Sequence, residues 1–278
     1  VLYLLPSPLG NLSDISLHTL EVLKEIEVFL CEDTRITQKL LLLLEQKGYL
    51  SLGEKKKFIP FHTHNQDQFL AQTSLEFFNQ KVAFLSDAGM PCVSDPGSAL
   101  ITYAQTHQIP YEVVLGGSAS TLAYAYSGFG DSGFVFDSFL PHKSGERVER
   151  LRFWQEVLGD RGIALVCFES PHRLLESLED IVRVGSEIEL FAIKEMTKKF
   201  QKFWRGSAKE VLERLREENI QGEWCLVMRF EDKKREKKIG EVEILSMDLP
   251  PKIKAKLLSE VSILSPKQWY ERLLKEGK

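Results

Sequence analysis

The chain predicts an α/β fold, with two successive α/β domains and a small helical tail. Three observations carry this. Short apolar runs of strand length alternate with longer segments whose apolar residues recur at helical spacing. Polar, glycine-bearing turns follow several of those runs, as at the carboxyl ends of strands in an open sheet. At 278 residues the chain can build two domains, each with its own core. Its 43% apolar and 27% charged residues are ordinary for a globular protein.

The elements follow in order. Leu2 to Leu5 reads as a buried strand stopped by Pro6, and the loop Pro6 to Asn11 leads to a helix over about Ser16 to Ile26, with Leu17, Leu20 and Leu23 on one face. Val28 to Leu30 is a short strand, and Glu32-Asp33-Thr34-Arg35 opens a Leu-rich helix ending near Gly48. Phe58 to Phe61 reads as a strand, Asn65 to Asn79 as a helix, Val82 to Leu85 and Tyr111 to Leu115 as strands around a helix at Ser98 to His107. This alternation predicts a mostly parallel sheet covered on both faces.

Leu115-Gly116-Gly117 reads as a hinge, so the first domain spans 1–116 and the second 117–230. The second has strands at Phe134 to Leu140, Ile163 to Phe168, Glu189 to Ile193 and Trp224 to Phe230. Its helices fall at Thr121 to Ser127, Glu146 to Leu158, His172 to Val184 and Ala208 to Asn219. Glu231 to Lys238 is a charged linker within a third segment, 231–278, whose helical tail starts at Pro250-Pro251. The tail's expected core is Leu257, Leu258, Val261, Leu264, Trp269, Tyr270 and Leu273.

Charge is uneven along the chain. The net charge of −4 divides into −5 over 1–116, −2 over 117–230 and +3 over 231–278. Residues 194–206 are also locally basic, which suits either a solvated face or contact with a phosphate backbone. Cys31, Cys92, Cys167 and Cys225 are far apart and form no CxxC pair, which points to free thiols in a reducing compartment. The longest apolar run, Leu40 to Leu44, is far short of the roughly 18 residues a spanning helix needs. No signal-peptide pattern opens the chain, so the expected location is cytoplasmic.

The most informative stretch is Ser86-Asp87-Ala88-Gly89-Met90-Pro91-Cys92-Val93-Ser94-Asp95-Pro96-Gly97, a double turn directly after a strand. Its glycines remove side chains where a ligand meets backbone. Two capped turns would produce the same letters. Three further polar segments also stand at element ends, namely Pro8 to Asn11, Glu32 to Arg35 and Gly116 to Ala119. One cleft explains the four together better than four coincidences do. Gly128-Phe129-Gly130-Asp131-Ser132-Gly133 matches the dinucleotide fingerprint, but it follows a helix and precedes a strand, the reverse of the required context. His62 and His64 have no carboxylate or Cys at metal-ligand spacing, and no metal site is expected.

These segments resemble the tetrapyrrole-methylase superfamily, and within it the bacterial 16S ribosomal RNA cytidine 2'-O-ribose methyltransferases. The family's T-P-I-G-N-L-x-D-I appears as Ser7 to Ile15, its A-E-D-T-R as Cys31 to Arg35, and its S-D-A-G-x-P-x-I-S-D-P-G as Ser86 to Gly97. Its F-L-P-x-K is Phe139 to Lys143, its F-E-S-P-H-R is Phe168 to Arg173, and its E-x-T-K is Glu195 to Lys198. The resemblance runs from residue 2 to about 230, and the basic tail is similar to the family's small C-terminal helical domain. Three positions depart. P-G-P-S-A is here Leu115-Gly116-Gly117-Ser118-Ala119, a usual Glu is Gln201, and the Gly before F-L-P is Ser138.

The resemblance implies S-adenosylmethionine (SAM) held in a cleft between the two domains. It carries cofactor contacts to Pro8, Asp87, Ala88, Gly89, Ser94, Asp95, Gly116, Gly117, Ser118 and Ala119. It implies 16S rRNA as substrate, within the small ribosomal subunit, bound through Arg35, Lys143, Arg173, Lys198, Lys199 and the tail. It also implies a homodimer and no membrane association. Catalytic roles fall to Asp33, Arg35, Glu195 and Lys198. A ribose 2'-hydroxyl is a poor nucleophile until its proton is taken or shared, so a base must reach it. Asp33, Glu169, Glu195 and Lys198 are the candidates, and the sequence does not choose among them. The same cleft also suits a methylase of small tetrapyrroles, and the lost prolines and Gln201 also suit a non-catalytic RNA-binding relative. The E-D-T-R and F-E-S-P-H-R segments and the basic tail favour the RNA methyltransferase.

Overall fold

The computed structural model describes residues 1–53, 56–130, 132–159, 161–230, 240–262 and 264–276. Two five-stranded sheets lie within one compact unit, Val1–Glu231. In the first, β1 (Leu2–Leu5), β2 (Val28–Cys31), β3 (Lys57–Pro60), β4 (Val82–Leu85) and β5 (Tyr111–Val113) run parallel in the order β3-β2-β4-β1-β5.

The unbroken apolar runs of β1, β2 and β4 are those of strands buried on both faces. On one face Leu5, Phe29, Cys31, Ala83 and Leu85 pack against Leu20 and Leu23 of α1 (Leu17–Glu25) and Leu41 and Leu44 of α2 (Thr34–Gln46). On the other, Leu2, Leu4, Val28, Leu30, Val82 and Phe84 meet Phe69 and Leu70 of α3 (Gln66–Gln72), and Leu100 and Ala104 of α4 (Gly97–Thr106). The helix expected over Asn65 to Asn79 is broken. Thr73 and Ser74 are extended, and a separate 3-10 turn, Leu75–Asn79, follows. The break lets Phe78 enter the core.

Register brings three strands to a common end. Leu5 of β1 and Cys31 of β2 both pair with Leu85 of β4. The loops after Leu5, Cys31 and Leu85 therefore leave the sheet side by side. The loop after β5 leaves from the same edge and enters α5 (Ala119–Ser127).

The second sheet contains β6 (Phe134–Phe139), β7 (Ala164–Glu169), β8 (Glu189–Lys194), β9 (Lys202–Ser207) and β10 (Trp224–Arg229), in the order β6-β7-β10-β8-β9. Only the β6–β7 pair is parallel. One face packs on α6 (Ser144–Leu158), α7 (Leu174–Val184) and α8 (Ala208–Leu215) through a core that includes Leu151, Leu178, Val211 and Trp204. The other face, with Val166, Phe191, Ile193 and Cys225, packs on Ala123 of α5 and on Phe129. Strand β9 is absent from the sequence reading, which saw only a basic stretch there. Helix α8 stops before the expected Asn219, whose side chain instead accepts the Gln221 N–H at 2.9 Å and turns the chain toward β10.

The dinucleotide-like stretch begins where α5 ends. Gly128 caps that helix in the left-handed region, φ 63°, as its position after a helix requires; Asp131 lies outside the described residues. The linker expected at 231–238 also lies outside them. The second unit, Asp232–Lys278, contains α9 (Glu241–Ser246), α10 (Pro251–Glu260) and α11 (Pro266–Glu276). Ile244, Ala255, Leu258 and Trp269 are its core, and the Trp269 indole N–H donates to Ser262 Oγ at 2.6 Å. Val261 and Tyr270, expected in that core, are exposed. Among the described residues no helix is long and apolar enough to cross a membrane.

Candidate active site

The aligned strand ends are laced together by hydrogen bonds. Ser7 and Gly89 exchange backbone bonds at 3.0 and 2.8 Å, and Ser7 Oγ donates to Ser86 O at 2.7 Å. The Asp87 N–H donates to Glu32 Oε2 at 2.9 Å, and the Asp33 N–H donates to Asp87 Oδ1 at 3.2 Å. In the double turn Asp95 Oδ1 accepts the Cys92 and Gly97 N–H groups at 3.0 and 2.7 Å. This holds Cys92 and Ser94 in the left-handed region, φ 68° and 70°. A Cβ on Gly116 would lie 2.0 Å from Pro6 Cβ, so the loops after β1 and β5 touch only because residue 116 has none.

Two neighbouring cavities lie along this edge. The first, of about 470 Å³, has one wall from Leu9, Glu32, Ser86 to Met90, Val93 to Asp95, Ser118 and Ala119. The opposite wall is Phe139, Phe168 to Pro171, Met196 and Gly222 to Cys225. The second, of about 510 Å³, is lined by Pro6 to Leu9, Asp14 to Ser16, Gly116 to Ser118, one side of α5 from Thr121 to Tyr126, and Thr197. Leu9 and Ser118 border both. Each volume is in the range of small-molecule sites.

Of the expected cofactor contacts, Asp87, Ala88, Gly89, Ser94, Asp95, Ser118 and Ala119 line the first cavity. Pro8, Gly116 and Gly117 line the second, alongside Ser118. The expected catalytic residues are placed differently. Asp33 caps α2 and is held by Arg35, its Oδ2 2.5 Å from Nη2. The hydrogen bond from Arg35 lowers the Asp33 carboxyl to about 2. Neither residue lines either of these two cavities, and Arg35 is 88% exposed. Glu195 also lines neither; its Oε1 accepts from Lys198 at 3.1 Å and from the Glu223 N–H at 2.9 Å. Lys198 also bonds Glu223 Oε2 at 2.9 Å. Burial would lower the Lys198 ammonium, but Glu223 and Glu195 hold it above its ordinary value. Glu169 lines the first cavity with both oxygens engaged, by Arg173 at 2.6 Å, the Ser170 N–H at 2.7 Å and Ser177 Oγ at 2.5 Å. Arg173 is thus an internal partner of Glu169. Lys143 is exposed and pairs with Glu146 at 2.9 Å, and the Lys199 ammonium lies 5.5 Å from the Phe200 ring centroid.

Three carboxylates set the character of the first cavity. Burial raises the Glu32, Asp87 and Asp95 carboxyls above their ordinary values, opposed by the N–H groups each accepts. Glu223 adds a fourth acid at the rim, 71% exposed. Acidic groups beside Leu9, Met90, Phe139, Phe168 and Met196 suit an organic cation with apolar parts.

Sequence reasoning missed the Gly222-Glu223-Trp224-Cys225 segment of the wall. The signal was a glycine two residues before a strand. Gly222 has φ 127°, and a Cβ there would come 2.8 Å from Glu195 Cγ. The departures from the family pattern also acquire reasons. Ser138 sits at φ 55°, where Gly is the easy residue, and its Oγ is 2.8 Å from Ser94 Oγ. Gln201 Oε1 accepts the Thr197 N–H at 2.7 Å, work a carboxylate does equally well.

The model of the family described as Tetrapyrrole (Corrin/Porphyrin) Methylases matches residues 1–212. Curated relatives named ribosomal RNA small subunit methyltransferase I include one from Helicobacter pylori, 44% identical over 100% of this chain and 99% of its own length. Another, from Campylobacter fetus, is 39% identical over 99% and 100%. Among solved structures, uroporphyrin-III C-methyltransferase from Thermus thermophilus, complexed with S-adenosyl homocysteine, superposes with a TM-score of 0.55 at 19% identity, covering 81% of this chain and 96% of that one. A diphthine synthase described as putative, from Entamoeba histolytica, gives 0.55 at 18% identity over 94% and 97%. At these identities the two superpositions show the fold.

Proposed function

The chain belongs to the tetrapyrrole methylase family and, within it, to the ribosomal RNA small subunit methyltransferase I proteins, and from that premise we propose that it methylates 16S rRNA from SAM, at the ribose 2'-oxygen of a cytidine in the decoding centre. The observation that carries the cofactor assignment is the first cavity, with Glu32, Asp87 and Asp95 around an apolar floor. Bound there beside Glu32, Asp87 and Asp95, SAM would supply a methyl group already activated on a sulfonium.

The chain's own groups bind, orient and move a proton. Asp87 and Asp95 favour the donor's positive charge. Leu9, Met90, Phe139 and Phe168 exclude water from it. Glu32 is our choice for proton acceptor. It lines the cavity, and among the described residues its Oε1 accepts no hydrogen bond. Its raised affinity for a proton suits the task. Asp33 and Glu169 have both oxygens occupied as structural acceptors, Glu195 lines neither cavity, and Lys198 is held protonated, so it serves as a cation toward phosphate or the hydroxyl.

We assign 1–116 to the cofactor loops, 117–230 to the substrate side and 231–278 to an RNA-contacting tail, in a cytoplasmic homodimer that works on the small subunit. The test is incubation of the full chain with methyl-labelled SAM and 30S particles lacking this modification. Label should appear in 16S rRNA as 2'-O-methylcytidine. Label found only on an added porphyrinoid would overturn the assignment in favour of the small-molecule reading.

A further inference from the structure

Beyond the cleft, the turn from Glu195 to Gln201 carries a feature that its catalytic reading does not use. Met196 lines the first cavity and Thr197 the second, so this turn stands at their junction. The next aromatic along it, Phe200, is 70% exposed, and the Lys199 ammonium lies 5.5 Å from its ring centroid. Two residues into β9 comes Phe203, 58% exposed, stacked on Phe191 with centroids 5.5 Å apart and planes at 29°.

Strand alternation places Phe203 and Arg205 on the face opposite buried Trp204. That face carries Phe191, Ile193 and Cys225, and Cys225 lines the first cavity. A single exposed aromatic is unremarkable. Two of them, with the Lys199 ammonium over the first and Arg205 on the same strand face as the second, form the composition of a single-strand nucleic-acid platform, while Lys198, Lys202 and Arg205 are paired with Glu195 and Glu223, Glu218, and Glu189. Rings supply stacking area, and the cations attract the backbone.

We propose that Phe200, supported by Phe203, stacks on an unpaired base of the RNA substrate next to the nucleotide being methylated. This rests on the RNA reading given above. A target sugar can reach the cleft only if its nucleotide leaves the helix. Its neighbours then lose a stacking partner, and Phe200 replaces it. A protein surface would be the competing occupant, but the Lys199 ammonium over Phe200, which among the described residues pairs with no carboxylate, and the place of this turn at the junction of the two cavities favour the RNA chain.

The test reads binding without turnover. The full chain, wild type and as Phe200→Leu, Phe200→Trp and Phe203→Leu, is titrated with unmodified 30S particles, and SAM affinity is measured in parallel by calorimetry. Phe200→Leu should weaken 30S binding about tenfold or more, Phe200→Trp should restore it, and SAM affinity should stay unchanged. Equal 30S affinity for Phe200→Leu and wild type would overturn the platform, as would loss of SAM binding in step with RNA binding. A changed oligomeric mass at unchanged RNA affinity would overturn it in favour of a protein interface. The two readings separate cleanly. Label transfer by wild type with no effect of Phe200→Leu on affinity or KM removes the platform alone. Weakened binding by Phe200→Leu in a chain that transfers no label removes the catalytic reading alone.

Discussion

Glu32 and Asp87 hold each other across two strand ends. The Asp87 N–H donates to Glu32 Oε2 at 2.9 Å, while Asp87 itself accepts the Asp33 N–H at 3.2 Å. Each turn therefore fixes the carboxylate of the other, and both acids line the first cavity. Preorganisation of this kind lets one residue shape the fold of the loop and also serve the chemistry.

Glu32→Gln tests that double role. The amide oxygen still accepts the Asp87 N–H, so the loops and SAM affinity should persist. The lost proton acceptor should cost about 10²- to 10⁴-fold in kcat. Single-turnover methylation beside calorimetric SAM titration checks this. A variant with full kcat would move the base elsewhere.

The buried acids predict a pH dependence of cofactor binding. Burial raises the Glu32, Asp87 and Asp95 carboxyls, so they ionise later than ordinary ones. A cation beside them favours the ionised form. Affinity for SAM should therefore fall as pH drops from neutral into the raised carboxyl range, and binding there should release protons. In the ligand-free protein these groups cost stability above their folded pKa, and the cost vanishes below the unfolded one. Calorimetry in two buffers of different ionisation enthalpy reads the proton release, which Asp87→Asn should reduce.

Arg147 shows how the second half holds its motif. Its guanidinium, 1% exposed, meets Asp180 at 2.6 Å and donates to the carbonyls of Pro141 and His142, each at 3.2 Å. The Phe139 to Lys143 segment is pinned by this side chain together with Arg173, whose Nη1 donates to the Leu140 carbonyl at 3.2 Å. Arg147→Ala leaves Asp180 charged and buried without it, and should cost about 3–5 kcal/mol in urea unfolding.

Ser138 sets strain against a hydrogen bond. Ser138→Ala keeps the left-handed backbone and loses the bond to Ser94, for a cost of about 1 kcal/mol. Ser138→Gly loses the same bond but relieves the strain, and should unfold close to the wild-type midpoint. A Gly variant less stable than the Ala variant would contradict this account.

The legible parts of the molecule were those written in short-range pattern. Apolar runs gave the strands of the first sheet, and helical spacing gave helices opening near Ser16 and Asp33, the residues that cap α1 and α2. The convergence of four polar turns could be inferred because parallel strands must end at one edge. Strand β9 was hidden because an edge strand with one buried residue, Trp204, reads as a solvated basic stretch. The Arg147–Asp180 pair was hidden because nothing local marks a buried charge 33 positions from its partner. The choice among the candidate bases stayed open in the sequence for the same reason. Asp33 and Glu195 carry the right chemistry, but only the fold shows Arg35, Lys198 and a backbone N–H already using their oxygens.

Gly10 is the last case, because its role lies wholly in a contact between distant segments. A Cβ there would stand 2.2 Å from Lys198 Cγ and 2.9 Å from Thr197 Oγ1. The Asn11 N–H donates to that same hydroxyl at 3.2 Å. The first loop therefore rests directly on the turn that carries Lys198. Gly10→Ala must push Lys198 away from Glu195 and Glu223, which should raise KM for 30S particles and lower kcat while the core stays intact. Lys198→Ala removes the Cγ that the new methyl would strike. In that background Gly10→Ala should cost far less, and the two effects should fail to add. Additive losses in kcat/KM would mean that Gly10 acts on something other than the position of Lys198.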